Sequence, residues 1–472
     1  MATRTQSILS INPATGEVLR GFDEASDQQV EQALASAEAA FQRWRRATFS
    51  ERSRRMAEAG AVLRRHRDDY ARLITLEMGK PIAQSEAEID KCAWNCDYYA
   101  ENAERFLADE PIPSNARESY VEFPPLGTVL AIMPWNFPFW QLFRFAAPAL
   151  MAGNTAILKH ASNVPQCALA LEDVFREAGF PEGVFRNLLL SGARTGRLLE
   201  DPTIKAVTLT GSDATGSKIA EQSGRLLKKT VLELGGSDPF VVLQDADVEQ
   251  AASVASKARF QNSGQSCIAA KRFIIEAPIF ESFLDRFTAE VKKLKVGDPS
   301  DRSVDVGPLA RDDLVDGLQR QVDDSIKEGA KALTGARRRS GPGFFYEPTV
   351  LSSVEPGMRV FREETFGTVA AVIKAGDPGD AIRLANHTPF GLGANLWTRD
   401  LDRARRLAPE IEAGLVFING MVASDPRLPF GGVKRSGFGR ELSHYGIKEF
   451  VNVQTVWIGP AQSSGPPARS AE

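Results

Sequence analysis

The stretch Lys228-Lys229-Thr230-Val231-Leu232-Glu233-Leu234-Gly235-Gly236-Ser237-Asp238-Pro239-Phe240-Val241-Val242-Leu243 holds two short apolar runs on either side of a glycine pair. Each run has the length of a buried strand rather than a helix, and Gly235-Gly236 offers a hinge between them. Residues 228–234 therefore close one α/β unit, and residues 239–243 open a second that reaches about Gly439. Toward the N-terminus, residues 128–133, 155–158, 184–190 and 206–210 are also short continuous apolar runs, with a helical stretch at 165–178 among them. Buried parallel strands alternating with helices fit this pattern.

Further out the pattern changes. Apolar residues at Val30, Ala33, Ala37, Phe41 and Trp44 give residues 26–46 a helical period, and a second, with Ser50 as its expected cap, runs to Met78. The first hundred residues are thus mostly helix. After a break at Pro111 and Pro113, residues 119–123 read as a strand that Pro124, Pro125 and Gly127 end. The tail from Gly459 has the composition of a disordered end.

A chain of 472 residues exceeds what one core usually organises, so two or more domains are expected. Hydrophobic and charged fractions of 43% and 25% are those of an ordinary globular protein, and a net charge of −4 without like-charge blocks disfavours nucleic acid or an anionic membrane as partner. Residues 1–12 lack the apolar core of a signal peptide, and Arg144 interrupts the apolar stretch 137–151, so a cytoplasmic location is expected. Four cysteines are too few for a disulfide framework, and four histidines lie too far apart to suggest a metal site. Cys92 and Cys96 can share a helix face, as packing thiols or as a pair.

Several residues carry chemistry. Pro134-Trp135-Asn136-Phe137-Pro138 follows a buried strand, where open α/β sheets bind ligands; Asn136 either offers its amide to an oxyanion or caps the next helix. Lys159 ends the next strand, where a lysine usually just reaches solvent. Thr210-Gly211-Ser212 leads a strand into a helix through small residues, which suits a pyrophosphate. Glu233 ends an apolar strand and reads as a general base or a surface carboxylate. Cys267, in Asn262-Ser263-Gly264-Gln265-Ser266-Cys267, sits in a polar loop as a nucleophile must, or is an incidental thiol.

Together and in this order these segments resemble the aldehyde dehydrogenase superfamily over almost the whole chain. Also matching are residues 12–17, Ala152-Gly153-Asn154-Thr155, Glu363-Glu364-Thr365-Phe366-Gly367 and Pro429-Phe430-Gly431-Gly432. The resemblance implies Cys267 as nucleophile, Glu233 as general base and Asn136 as oxyanion donor. It places Pro134, Trp135, Lys159, Ser162, Gly211, Ser212, Leu234, Glu364 and Phe366 around a nicotinamide dinucleotide. The implied fold is α/β, with a Rossmann-like cofactor domain (1–110 and 124–235), an α/β catalytic domain (236–440) and a small β oligomerisation element (111–123 and 441–458). That element joins a hairpin to a C-terminal strand near 449–457 across a homodimer or a dimer of dimers. Thr368 departs from the family, which has Pro there, and a minor loop effect is expected. A branch that passes the acyl group to coenzyme A lacks the deacylating Glu, so Glu233 favours hydrolysis; a non-catalytic protein on the same fold is disfavoured by the intact trio.

Residues 159–163, 234–240 and 436–444 resemble the short bacterial succinate-semialdehyde dehydrogenases. There Arg144 falls where a carboxylate-binding Arg is expected, although a surface ion pair is the alternative. A second family Arg is Gln261 here, leaving Ser424 and Arg427 as substitutes and a broader aldehyde range as the runner-up. Ser162 stands where NAD-preferring members carry Glu, so NADP is the expected cofactor, with NAD possible.

Overall fold

The structure is a computed structural model and describes residues 8–459. The tail expected from Gly459 lies, beyond that residue, outside the described range. Two large sheets meet at the glycine pair. The first orders its strands Gly437–Phe438, Lys229–Glu233, Ile204–Thr210, Thr128–Met133, Thr155–His160 and Phe185–Asn187. All its neighbours are parallel except the short edge strand Gly437–Phe438. The second runs Lys331–Thr334, Thr349–Ser352, Val369–Ala375, Ala270–Glu276, Asp238–Val242, Gly393–Trp397 and Leu415–Ile418, with only the first strand antiparallel. The sequence expectation of two parallel α/β units hinged at Gly235-Gly236 matches these strands.

In the first sheet the chain starts at the central strand Thr128–Met133, moves outward on one side, then returns to lay Ile204–Thr210 on the other. The C-terminal ends of those two strands form the switch point at which such sheets bind ligands. Four helices precede the sheet: Asp27–Trp44, Phe49–Arg65, Arg67–Met78 and Ile82–Phe106. Ser26 and Gln29 form the capping box that starts the first helix. The second is capped by Thr48 rather than by Ser50, and a break at His66 divides it from the third. The helix Trp140–Met151 is buried along its whole length, including Arg144. Trp44 ties it to the N-terminal helices by donating Nε1–H to the Leu150 carbonyl at 2.9 Å.

Two features differ from the sequence expectation. An N-terminal hairpin, Ile8–Ile11 with Val18–Phe22, precedes the helices; its second strand is largely exposed, so no apolar alternation announces it. The C-terminal strand Gln454–Ile458 pairs antiparallel with Glu118–Glu122 of its own chain, not across a dimer, and Glu110–Pro111 completes a three-stranded sheet. Cys92 and Cys96 are buried, with burial pushing both thiols well up, so they are packing residues. No described helix is long and apolar enough to cross a membrane.

Candidate active site

Cys267 follows three residues in left-handed backbone, Asn262, Ser263 and Gly264, at φ of 54°, 53° and 73°. Such φ values cost about 1–3 kcal/mol for a non-glycine residue, so surrounding contacts must impose them. Arg259, fully buried, donates to the carbonyls of Gly264, Thr365, Gly367 and Ala270. Lys271, also fully buried, donates to the carbonyls of Ser266, Cys267 and Ala269 at 2.9, 2.8 and 3.2 Å. Two buried cations thus hold the loop by its carbonyl groups. At Gly264 a Cβ would lie 2.1 Å from the Gly367 carbonyl oxygen, so only glycine fits that approach.

Asn136 does not cap a helix: the helix Trp140–Met151 begins after Phe139, without a side-chain cap. Its amide donates instead to the Gln265 carbonyl at 3.1 Å, and Asn262 Nδ2 donates back to the Asn136 carbonyl at 2.8 Å. An amide carries two N–H groups, so Asn136 keeps one beside the cysteine loop. His160 fixes the same turn from below. Its Nε2 faces the Pro138 carbonyl at 2.9 Å, its Nδ1 accepts from the Ala161 N–H at 2.8 Å, and burial depresses it to about 4, so the ring is neutral. Burial pushes the Cys267 thiol up to about 12 against the pull of Arg144 and Lys271, so the resting group is a thiol.

Glu233 ends its strand fully enclosed, and neither carboxyl oxygen has a hydrogen-bond partner among the described residues. Burial first, then the Glu441 carboxylate, raises it well above the usual carboxylate range, while Arg144 opposes. It does not line the cavity at Cys267; it lies against Gly431, where a Cβ would sit 2.8 Å from Oε1. Arg144 Nε approaches Glu441 Oε2 at 2.6 Å, and the guanidinium lies 4.3 Å over the Phe430 ring. A buried arginine requires such a counter-ion. Arg144 thus pairs with a buried carboxylate rather than with one at the surface, while its guanidinium still lies on the wall of the cavity at Cys267.

The cofactor candidates share one edge. Pro134 and Trp135, Lys159 and Ser162, Gly211 and Ser212, and Leu234 follow or end four adjacent parallel strands at their C-terminal ends. Ser212 caps the helix Asp213–Arg225, accepting from the Thr215 N–H. Lys159 is mostly buried, which lowers its pKa, and has no ion-pair partner among the described residues; Ser162 is exposed and neutral. Glu364 accepts from the Gly236 N–H at 3.0 Å and stands 3.5 Å from Lys271. Phe366 and Trp135 meet edge to face at 5.7 Å. Cationic, small and aromatic groups at a switch point fit a dinucleotide. Thr368, the departure from the family, is built into the sheet: its hydroxyl donates to the Tyr346 carbonyl at 3.1 Å.

Cys267 opens on a cavity of about 730 Å³ whose walls include Lys91, Trp140, Gln141, Arg144, Ser424 and Phe430. Of the substrate candidates, Arg144 and Ser424 belong to it. Arg427 does not: it is turned outward and engaged by Asp425 at 2.6 Å, which satisfies its charge at the surface. Gln261 is an exposed part of the wall. Sequence reading missed Arg259, Lys271, His160 and Lys91. Lys271-Arg272 did carry a signal, two adjacent basic residues near the start of a fully buried strand, Ala270–Glu276.

The sequence pattern of the aldehyde dehydrogenase family matches residues 1–456. A probable succinate-semialdehyde dehydrogenase [NADP(+)] of Synechocystis sp. is 52% identical over 96% of this chain and 100% of its own. The succinate-semialdehyde dehydrogenase [NADP(+)] of Mycobacterium avium is 51% identical over 97% of this chain and 98% of its own. The crystal structure of succinic semialdehyde dehydrogenase from Streptococcus pyogenes in complex with NADP+ superposes with a TM-score of 0.94 at 36% identity, over 96% of this chain and 100% of that one.

Proposed function

This chain belongs to the aldehyde dehydrogenase family, and from that premise we propose that it oxidises succinate semialdehyde to succinate with NADP as hydride acceptor. The observation that carries the reading is the rigid cysteine loop: a strained backbone clamped by Arg259 and Lys271 presents one thiol to a cavity with cations on its wall.

Cys267 passes its proton to water in the cavity and attacks the aldehyde carbon as the thiolate. The C–S bond forms as the carbonyl oxygen becomes an alkoxide, which the second Asn136 N–H and the Cys267 backbone N–H receive. The bound dinucleotide supplies the hydride acceptor, held by Lys159, Glu364 and the small residues at the strand ends. The product of that step is a thioester on Cys267. Glu233, a stronger base than a surface carboxylate because of its burial and of Glu441, takes a proton from water as its oxygen attacks the acyl carbon; the C–S bond breaks, the acid is released, and the proton on Glu233 returns to the leaving thiolate. Ser162 leaves room and a hydroxyl for a 2′-phosphate, whose charge Lys159 balances.

The chain acts in this reading as a homodimer or a dimer of dimers in the cytoplasm, joined through the three-stranded sheet, whose Trp457 and Ile458 are exposed. The test is a panel of aldehydes with and without a terminal carboxylate, run against both dinucleotides. Succinate semialdehyde with NADP should give the highest kcat/KM. Equal rates with butanal would remove the semialdehyde, and higher rates with NAD would remove the phosphate pocket.

A further inference from the structure

The helix Ile82–Phe106 runs along the cavity at Cys267 and sets two side chains of one face on the two backbone turns that make the site. Gln84 Oε1 accepts from the Asn262 N–H at 2.7 Å, and its Nε2 donates to the Asp305 carbonyl at 3.3 Å. Glu88 Oε1 accepts from the Phe139 and Trp140 N–H groups at 2.9 and 3.0 Å, while Oε2 pairs with the buried Lys80. The first contact falls on the cysteine loop and the second on the turn that carries Asn136. Residues four apart on a helix are neighbours about 6 Å apart on a rigid scaffold, so one helical turn spaces the two gripped segments.

Each grip meets a need. The helix Trp140–Met151 has no side-chain cap of its own, and Glu88 supplies the acceptor that its first N–H groups lack. Asn262 is fully buried at φ 54°, and among the described residues Gln84 is the acceptor for its N–H. Its side chain is the node between loop and turn: Nδ2 donates to the Asn136 carbonyl at 2.8 Å and to the Gln265 carbonyl at 3.0 Å. The Asn136 amide donates to that same Gln265 carbonyl at 3.1 Å. The aim of the second Asn136 N–H relative to the thiol therefore follows from where Asn262 stands. Arg259 and Lys271 hold the loop from Gly264 onward, and neither donates to Asn262. Without Gln84 the Asn262 N–H would be buried and unpaired, and its left-handed backbone would relax and carry Nδ2 away from Asn136.

Resting on the reading of Asn136 as oxyanion donor, we propose that Gln84 is a positioning residue for the oxidation. It fixes Asn262, and through Asn262 the spacing between the Asn136 amide and Cys267, while Glu88 holds the other end of the span. Gln84 acts through Asn262 rather than on the aldehyde. It keeps the two donors to the alkoxide, the Asn136 amide and the Cys267 backbone N–H, converged on one point.

The test is the first-turnover rate of reduced-cofactor formation, which covers thiol addition and hydride transfer but not hydrolysis. It is measured with succinate semialdehyde and NADP in wild type, Gln84→Leu, Asn136→Ala and the double variant. Asn136→Ala should slow it about 10²–10³-fold, the cost of one oxyanion donor. Gln84→Leu should slow it about ten- to a hundredfold, as a misplacement near 1 Å does, with NADP affinity unchanged. In the double variant the two losses should not multiply. With no amide left to aim, adding Gln84→Leu to Asn136→Ala should cost less than about twofold more. Should Gln84→Leu fail to fold, Gln84→Asn, whose amide is withdrawn by one methylene, takes its place in the cycle. A Gln84 variant within twofold of wild type, or losses that multiply in the double variant, overturns the positioning role while leaving Asn136 in its own. An Asn136→Ala rate equal to wild type overturns the oxyanion reading, and the positioning role with it.

Discussion

At the cofactor edge, Ser162→Glu should set a carboxylate against the 2′-phosphate near Lys159, and the NADP:NAD ratio of kcat/KM should drop by at least about tenfold, or ~1.4 kcal/mol. An unchanged ratio would remove Ser162 from cofactor choice. Residues of this kind differ in how far the sequence reveals them. Ser162 is visible because a neutral side chain stands where a carboxylate is usual. Lys91 lies in a helix of ordinary amphipathic pattern, and only the third dimension shows that its face meets Ser424 and Trp140.

The loop between the helix Val248–Phe260 and the strand Ala270–Glu276 is the element on which the chemistry depends. Lys271→Met would leave the carbonyls of Ser266, Cys267 and Ala269 unpaired in the interior. Removing one partner of a buried ionic site typically costs about 3–5 kcal/mol. The melting temperature should fall, and Cys267 should react with iodoacetamide at an altered rate, because the loop loses its clamp. A variant with native melting and native alkylation would show that Lys271 is dispensable. The loop was half legible. Its Gly264-Gln265-Ser266-Cys267 identifies a nucleophile, yet its left-handed turn at Asn262, Ser263 and Gly264 is held by contacts with Gln84, the Gly307 carbonyl and Arg259, the last of which the sequence shows only as one more basic residue in a helix. Strands were more legible than caps: the continuous apolar run Thr128–Met133 marks its strand at both ends, whereas Thr48 takes the cap expected at Ser50.

Across the whole molecule, two parallel sheets meet at Gly235-Gly236, and the site lies where the strand ends of the first sheet face the cysteine loop leading into the second. Alternating apolar runs and helices made that plan readable. The three-stranded sheet was readable as strands but not as a pairing, because register between segments more than 300 residues apart leaves no local trace. Its exposed Trp457 and Ile458 should lie in the subunit contact. Trp457→Asp should therefore shift the species seen by sedimentation toward the monomer, and an unchanged mass would move the contact elsewhere. The central claim, oxidation through a thioester on Cys267 that Glu233 resolves, is tested most directly by mass spectrometry of Glu233→Gln mixed with succinate semialdehyde and NADP. The account predicts a burst of reduced cofactor and a succinyl group on the peptide carrying Cys267, absent when NADP is omitted. Steady turnover with no adduct, or an adduct on Cys92, Cys96 or Cys167 instead, would contradict it.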